Sequence, residues 1–412
     1  MRFLKYITYL ILLIGFPVVS IHFNAFGIKD KIYQKYPNLN LRKYLFKDEP
    51  VFNRINNDYN VKFLPDTELI KMNLIKKKIM FTPKYYTSNA KKKNIAYNKY
   101  GSFFIELIEQ NILITDYLGN IHLSSIDELS NKKKELKSKL LNHNLLDIDR
   151  VYDSMIYKNN LYLTYVKKTK ECKKIVISFA NLNNIKLNFE DFFVSKCSKV
   201  APGRMAIFSM NDKKGILLSV SSGSYNEPSL DSQNDNSING KIIFITLTDK
   251  EKSIFTKGHR VVQGLFVEKN FVIATEHGPR GGDEINILKK KQNYGWPISS
   301  YGEKYDFKYE SKPFFKKSHS DHGFEEPIFT FAPAIGVSEI IKLPDEFSKM
   351  FKNVFIVTSL YGRSIFLVKL NINPHRVTFA EKIFLNERIR DIKYLKDKKI
   401  ILLAFEEKGE IG

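Results

Sequence analysis

The sequence predicts an all-β protein, a six-bladed β-propeller preceded by an N-terminal apolar helix and a stalk. A unit of two apolar strands around a short polar turn recurs at intervals of about 45 to 55 residues, apart from one longer gap. Further apolar strands follow several units, and four strands per unit, six times, are typical of a propeller. A sandwich or two stacked β domains is the alternative, which the regular period disfavours. The units span residues 103–116, 151–166, 205–220, 261–275, 347–360 and 389–405.

The propeller is assigned to residues 61–412, and residues 26–60 are interpreted as a linker or stalk. The stalk is polar, carries Pro37 and Pro50, and shows little periodicity. The last apolar strand is followed closely by Gly412. Ring closure is therefore expected to borrow an N-terminal strand, such as residues 61–64.

The first 25 residues predict the compartment. Arg2 and Lys5 precede an apolar run over residues 7–19, which is typical of a signal peptide or an uncleaved signal anchor. No clear small-x-small cleavage site follows, and the run approaches the length of a thin membrane span. This favours an exported protein held at the membrane by the helix, with its body in the periplasm or another extracytoplasmic space.

The composition allows a sizeable core and argues against disorder, with 43% hydrophobic and 13% aromatic residues. The formal charge of +22 is compatible with nucleic acid or with an acidic surface. However, the lysines are scattered, no platform of arginine and aromatic residues is present, and an exported domain rarely meets nucleic acid. No nucleic-acid partner is therefore predicted.

The two cysteines flank two predicted strands. In an oxidising compartment, Cys172 and Cys197 are placed to pair across neighbouring strands. Two separate buried thiols remain the alternative.

One segment predicts a helix among the strands. Ser125 and Glu128 fit a capping box, and the leucines that follow recur at helical spacing under a lysine-rich face. The segment is interpreted as a surface insertion between blades, without a function.

Residues 258–302 are the stretch densest in functional residue types, and their motifs carry a family resemblance. They include GHRVVQGL (258–265), TEHGPRGGDEINIL (275–288) and NYGWP (293–297), with NERIRDI (386–392) near the C-terminus. Together these closely resemble the glucose/sorbosone dehydrogenase family, over about residues 95–412. The resemblance implies a six-bladed propeller that uses pyrroloquinoline quinone and Ca²⁺ and oxidises a sugar or polyol by hydride transfer to the quinone.

The resemblance also implies cofactor ligands. The quinone carries three carboxylates, for which arginine is the best match, and Arg260, Arg388 and Arg390 are the candidates. Structural ion pairs with Asp391 or Glu387 are the alternative role of these arginines. In the family, the positions of Gly278 and Pro279 offer their carbonyl oxygens to calcium beside the cofactor.

Three further polar residues lie in the same loop. Bracing of the loop is at least as plausible for Asp283 and Glu284 as metal ligation. His277 belongs to the motif, but a hydrogen-bonded loop histidine is the commoner role of such a residue.

The catalytic base of the family is not retained in the sequence. The resemblance places it four residues before Arg204, where this chain has Val200, which cannot accept a proton. Other family polar positions also differ, at Ser221, Ser222, Val261, Ala334 and Tyr361. Two functions follow from this pattern. One is an oxidoreductase that uses another base, His259 or His277, and the other is an inactive propeller that binds a glycan, a small ligand or an envelope protein.

Overall fold

The computed structural model describes residues 74–79, 101–223, 230–303, 315–347, 352–373 and 375–412. Within these ranges the strands form six four-stranded antiparallel sheets. The predicted six-bladed propeller is therefore confirmed. The predicted apolar helix, the stalk and the proposed closing strand at 61–64 lie outside the described residues. No helix in the described ranges is long and apolar enough to cross a membrane.

Each blade is built from strands in chain order, with the first strand innermost. Blade 1 contains β2 Phe103–Ile108, β3 Asn111–Asp116, β4 Ile121–Ser125 and β5 Lys139–Leu140. Blade 2 contains β6 Ile148–Tyr157, β7 Asn160–Lys168, β8 Lys173–Asn181 and β9 Glu190–Cys197. Blade 3 contains β10 Pro202–Met210, β11 Lys213–Val220, β12 Lys241–Thr246 and β13 Lys252–Lys257. Blades 4 and 5 contain β14 Val262–Glu268, β15 Phe271–Glu276, β16 Asp283–Ile287, β17 Phe329–Phe331; and β18 Val337–Lys342, β19 Val354–Ser359, β20 Ser364–Ile372, β21 His375–Phe384.

Blade 6 closes the ring by joining the two ends of the described chain. Its inner strands are β22 Ile389–Leu395 and β23 Ile400–Phe405, followed by β24 Glu410–Ile411. The short strand β1 Lys77–Lys78 completes this sheet by pairing antiparallel with β24. Closure by an N-terminal strand is thus observed, but the strand lies at residues 77–78. Three short 3₁₀ helices lie in the connections of the described ranges, at Ile126–Leu129, Leu230–Gln233 and His319–His322.

The hydrophobic core lies between neighbouring blades. The first strands contact one another around the ring in the order β2, β6, β10, β14, β18, β22 and back to β2. Apolar residues from adjacent blades share one cluster, as Ile105 of β2 does with Leu402 of β23. The second strand of a hairpin is buried at successive positions, five in a row in β3, because neighbouring blades cover both faces of each sheet.

Two local predictions were wrong, for different physical reasons. The fifth hairpin runs over β18 and β19 rather than over residues 347–360, because β18 carries the polar residues Ser338 and Glu339, which are buried at the centre of the molecule. After Ser125, which caps a 3₁₀ turn by accepting a hydrogen bond from the Asp127 N–H, the chain is not α-helical. Leu136 there packs into the core between blades, and the segment goes on to supply β5.

Cys172 and Cys197 form a disulfide, with their Cα atoms 5.7 Å apart. The bond joins the start of β8 to the end of β9 in blade 2. The sequence allowed either a disulfide or two separate buried thiols, and the structure has the disulfide.

An ion cluster fills the centre of the ring. The Arg204 guanidinium lies 2.8 Å from Asp153, 2.9 Å from Glu339 and 3.5 Å from Asp391, and it sits over the ring of Phe104 at 5.0 Å. It also donates to the main-chain carbonyls of Gln263 and Arg390, both at 2.7 Å. A single side chain of blade 3 therefore contacts the other five blades.

The carboxylates of this cluster also tie neighbouring blades together through backbone hydrogen bonds. Each accepts from an N–H of an adjacent inner strand: Asp391 from Ile105 (2.8 Å), Asp153 from Met205 (2.8 Å) and Glu339 from Leu265 (3.3 Å). Lys393 pairs with Glu106 at 2.8 Å beside them. We call these six charged residues the axial cluster: Asp153, Arg204, Glu339, Asp391, Glu106 and Lys393.

The axial cluster predicts a loss of stability as the pH rises. Its four carboxylates face two cations, and burial, with repulsion from Asp391 and Asp153, raises the pKa of Glu106 and of Glu339 to about 7. A raised folded-state pKa gives stability that is complete below the unfolded pKa and lost as the pH rises through 7. Between about pH 5 and pH 8 we expect Glu106 to lower the free energy of unfolding by up to about 3 kcal/mol.

Urea unfolding at several pH values tests this expectation. Glu106→Gln keeps an oxygen that accepts from Lys393 but cannot ionise, so its stability should depend less on pH than that of the wild type. Glu190→Gln, at an exposed position of β9, is the matched control and should keep the wild-type slope. Identical slopes in wild type and Glu106→Gln would contradict the assignment.

Candidate functional site

The three predicted cofactor arginines meet at one end of the ring. Arg260 lies two residues before the inner strand β14, Arg388 directly precedes β22, and Arg390 is the second residue of β22. All three charges act on one side chain, that of His277, whose pKa they lower. We call Arg260, Arg388 and Arg390 the arginine mouth. The structure therefore brings these predicted residues together, while their role as cofactor ligands stays a prediction.

Arg388 and Arg390 share the buried carboxylate of Glu406. Arg388 donates from Nη2 to Glu406 Oε1 at 3.0 Å, and Arg390 donates from Nε to Oε2 at 2.7 Å. Burial alone would raise the pKa of Glu406, but the two arginines outweigh it and lower the pKa to about 2. Arg390 also donates from Nη1 to the side chain of Gln263 at 2.8 Å.

The expected ion-pair partners of these arginines are engaged elsewhere. Glu387 pairs with Lys76 and Lys408, and Asp391 belongs to the axial cluster. The sequence analysis did not find Glu406. It directly follows β23, and its N–H donates to the Arg388 carbonyl at 3.0 Å. A prediction of the strand register in the last hairpin would therefore have placed Glu406 opposite Arg388.

Arg260 is tied to the glycine-rich loop. Its Nη1 donates to the carbonyl oxygens of Gly278 at 2.6 Å and His277 at 3.1 Å. Its guanidinium lies 5.4 Å from the ring centre of Trp296, a favourable cation–π distance. The loop backbone is tight here, because a Cβ on Gly278 would lie 2.0 Å from the Gly282 carbonyl oxygen. Only glycine fits at this position.

The arrangement of Gly278 does not fit a calcium ion as it stands. A cation already donates to its carbonyl oxygen, and a second cation there would be repelled. The described residues also contain no group of three or more His, Cys, Asp and Glu side chains placed to hold a metal. Calcium ligation by Gly278 and Pro279 stays a prediction, and no step below depends on it.

Asp283 braces the loop. Its Oδ1 accepts from the Gly278 N–H at 3.0 Å, and its Oδ2 accepts from the N–H groups of Ile335, Gly336 and Val337 at 2.6 to 3.1 Å. One buried carboxylate therefore fastens the loop of blade 4 to the start of blade 5. This is the bracing role that the sequence analysis offered as the alternative to ligation.

Glu284 lies in a buried group of acidic and aromatic residues. Burial and the nearby charge of Glu276 raise the pKa of Glu284 well above its usual value. Its Oε1 lies 3.5 Å from Nε2 of the buried His319.

The two candidate imidazoles differ in what they can do. His259 is fully buried, and its ring nitrogens contact Glu276 Oε2 at 2.9 Å and Thr256 Oγ1 at 2.8 Å. His277 is half-buried, and its Nε2 donates to the Val337 carbonyl at 2.6 Å. Because a carbonyl only accepts, Nδ1 of the neutral ring carries the lone pair. Burial and the arginine mouth lower the pKa of His277 to about 3.

Val200 lies at a cleft next to the arginine mouth. It is buried in the apolar cluster between blades 2 and 3, and it lines a cleft of about 980 Å³ together with Tyr152, Ser221 and Ser222. Ser222 connects the cleft to the mouth, because its N–H donates to the Arg260 carbonyl at 2.8 Å and its Oγ accepts from Trp296 Nε1 at 2.9 Å. Residue 200 is thus a buried valine, and no histidine is among the described residues that line this cleft.

Comparison with known proteins identifies relatives in sequence and fold. The family model described as Glucose / Sorbosone dehydrogenase matches residues 103–412. An aldose sugar dehydrogenase of Escherichia coli is 30% identical over 173 residues, which are 41% of this chain and 45% of that protein. A quinoprotein glucose dehydrogenase B of Acinetobacter calcoaceticus is 41% identical over 58 residues, 14% of this chain and 12% of that protein. The aligned stretches thus span less than half the length of these relatives.

Solved structures share the fold at low identity. A crystal structure of a glucose dehydrogenase is 20% identical, covers 77% of this chain and 96% of its own, and has a TM-score of 0.63. The apo-form of the soluble aldose sugar dehydrogenase of Escherichia coli is 19% identical, with coverage of 75% and 93% and a TM-score of 0.59. The PQQ-bound aldose sugar dehydrogenase of Streptomyces coelicolor is 16% identical, with coverage of 75% and 88% and a TM-score of 0.53.

The bracing role of Asp283 predicts that replacing one of its carboxylate oxygens strongly destabilises the protein. Asp283→Asn replaces one acceptor oxygen with an NH₂ group that would face backbone N–H donors. We expect the free energy of unfolding to fall by about 2 to 4 kcal/mol, because buried donors lose a charged acceptor. Urea unfolding measures the change, with Asp212→Asn in an exposed turn as the matched control. Equal stability of both variants would show that the carboxylate does not brace the loop.

Proposed function

The chain belongs to the glucose/sorbosone dehydrogenase family, and we propose on this premise that it binds pyrroloquinoline quinone and oxidises a hydroxyl of a sugar or polyol. The observation that carries the proposal is the convergence of Arg260, Arg388 and Arg390 at one end of the ring. None of the three is among the described residues that line the cleft of about 980 Å³, but Ser222 of that cleft donates its N–H to the Arg260 carbonyl at 2.8 Å, so a substrate bound there would lie next to the mouth.

The arginines supply the binding chemistry. A guanidinium presents parallel N–H donors that match a carboxylate in fork geometry, and the quinone carries three carboxylates. Arg388 and Arg390 are held in place by Glu406, which keeps their orientation fixed before a ligand arrives. When bound, the quinone would supply the hydride acceptor for oxidation of the substrate.

The substrate proton needs an acceptor on the protein. Val200 has none, and both ring nitrogens of His259 are engaged by Glu276 and Thr256 in the core. We assign the role to Nδ1 of His277, the remaining candidate imidazole at the mouth. Carboxylates bound to the arginines would offset the positive charges that disfavour its protonated form, so the pKa of His277 rises when the anion binds.

A second candidate function is that of a non-catalytic propeller that binds a glycan or another small ligand in the cleft. The buried, apolar Val200 at the position of the family base favours it. The two functions differ in turnover rather than in binding.

We also propose that the protein is exported and held at the membrane by its first 25 residues. The signal-like pattern of that segment supports this location, and so does the Cys172–Cys197 disulfide, since such bonds persist mainly in oxidising compartments.

Titration of purified protein with the quinone, followed by absorbance with and without Ca²⁺, tests the binding. We expect saturable binding to the wild type and an affinity about 10-fold to 100-fold lower in Arg390→Gln, which loses charge-assisted hydrogen bonds. Arg376→Gln, which removes a charge from the exposed outer strand of blade 5, is the control and should bind as the wild type does. A wild type that does not bind the quinone would refute the proposal.

Dye reduction by the loaded protein with a panel of aldoses separates the two candidate functions. We expect turnover in the wild type, with kcat reduced in His277→Asn while quinone affinity is kept. A loaded wild type without turnover on any sugar would instead support the non-catalytic function.

A further inference from the structure

A fourth arginine, which the sequence analysis did not single out, lies at the same end of the ring. Arg150 is the third residue of the inner strand β6. It lines a narrow cavity of about 20 Å³ together with Ser102, Gln263 and Arg390. Tyr152 borders both this cavity and the large cleft. Arg150 therefore shares a cavity with Arg390 of the arginine mouth, and Tyr152 links that cavity to the large cleft.

The guanidinium of Arg150 is held in place but not satisfied. Its Nη2 donates to Ser102 Oγ at 2.5 Å, and its guanidinium carbon Cζ lies 5.1 Å from the ring centre of Tyr152. Its Nε is buried with no hydrogen-bond partner among the described residues. A buried charged donor without an acceptor is costly, so the site lacks an acceptor that a ligand would provide.

The positive charge of Arg150 acts on Arg390 of the arginine mouth and on its partner Glu406. It contributes to the lowered pKa of Glu406 and disfavours the charged form of its neighbour Arg390. Two arginines that repel each other across a small cavity are stabilised by an anion between them. The cavity has room for about one oxygen atom, so a single carboxylate oxygen of a ligand seated at the mouth can accept from both guanidiniums.

We propose that Arg150 is an anion-binding residue of this mouth, which donates to a carboxylate of a small polycarboxylate ligand that Arg390 also holds. The inference rests on the proposed function only for the identity of that ligand as the quinone. It extends the binding site across the ring from blades 4 and 6 to blade 2.

The test compares two probes on the full chain by isothermal titration calorimetry, in a buffer free of phosphate and carboxylate. The probes are pyrroloquinoline quinone and citrate, a tricarboxylate without a quinone. The variants are Arg150→Gln, Arg150→Lys and the control Arg376→Gln, which removes a charge from the exposed outer strand of blade 5. Thermal unfolding of each variant verifies that it is folded.

We expect Arg150→Gln to bind both probes about 10-fold or more weakly than the wild type, while Arg376→Gln binds them unchanged. Arg150→Lys keeps the charge without the fork and should fall between the two. Unchanged binding of both probes by Arg150→Gln would overturn the inference and leave the proposed function standing. If the wild type binds citrate but not the quinone, and Arg150→Gln weakens citrate, the inference stands and the proposed function fails. If the wild type binds neither probe, both are overturned.

Discussion

The ring depends on the guanidinium of Arg204. Inner strands of a propeller approach the axis from six directions, and their backbones need partners where the sheets cannot pair. Three buried carboxylates, those of Asp153, Glu339 and Asp391, accept N–H groups of neighbouring blades there. Such carboxylates would repel one another across the axis without a cation between them. Arg204 supplies it, and its contacts with every other blade set the ring's centre.

The axial cluster also explains why an arginine-rich mouth is tolerated above it. Burial disfavours the charge of Arg390 and lowers its pKa, and its neighbours in the mouth are also cations. The cluster beneath has more carboxylates than cations, and the Arg390 carbonyl is itself held by Arg204 at 2.7 Å. Layers of opposite charge thus stabilise each other along the axis.

Local sequence patterns predicted the parts of the fold that local patterns determine. Pairs of apolar strands around short polar turns identified five of the six inner hairpins, because the two strands of such a hairpin are neighbours in sequence. The pattern failed at β18, where Glu339 belongs to the axial cluster. It failed again after Ser125, where Leu136 is drawn into a core shared between blades. In both cases a distant contact outweighed local propensity.

The site shows the same division between local motif and distant contact. The loop from His277 to Asp283 and the three arginines were identified from their motifs, since glycine-shaped loops leave a strong signature. The partners that orient them were not: Glu406 is 16 residues from Arg390, and Arg150 is brought beside Arg390 only by ring closure. Glu406 could be placed only from the strand register of the last hairpin, and Arg150 only from the arrangement of the blades, so the sequence next to the arginines marks neither.

The Arg260 guanidinium connects the arginine mouth to the glycine-rich loop. The Nη1 group of Arg260 donates to the loop carbonyls, while the guanidinium as a whole has five N–H donors. A charged acceptor makes the stronger hydrogen bond, so a carboxylate at the mouth would draw the guanidinium toward itself and weaken its bond to the Gly278 carbonyl. The loop itself would hold its shape, because Asp283 rather than Arg260 braces its backbone. The state of the Gly278 oxygen, bonded to a cation or open, therefore depends on what occupies the arginines beside it.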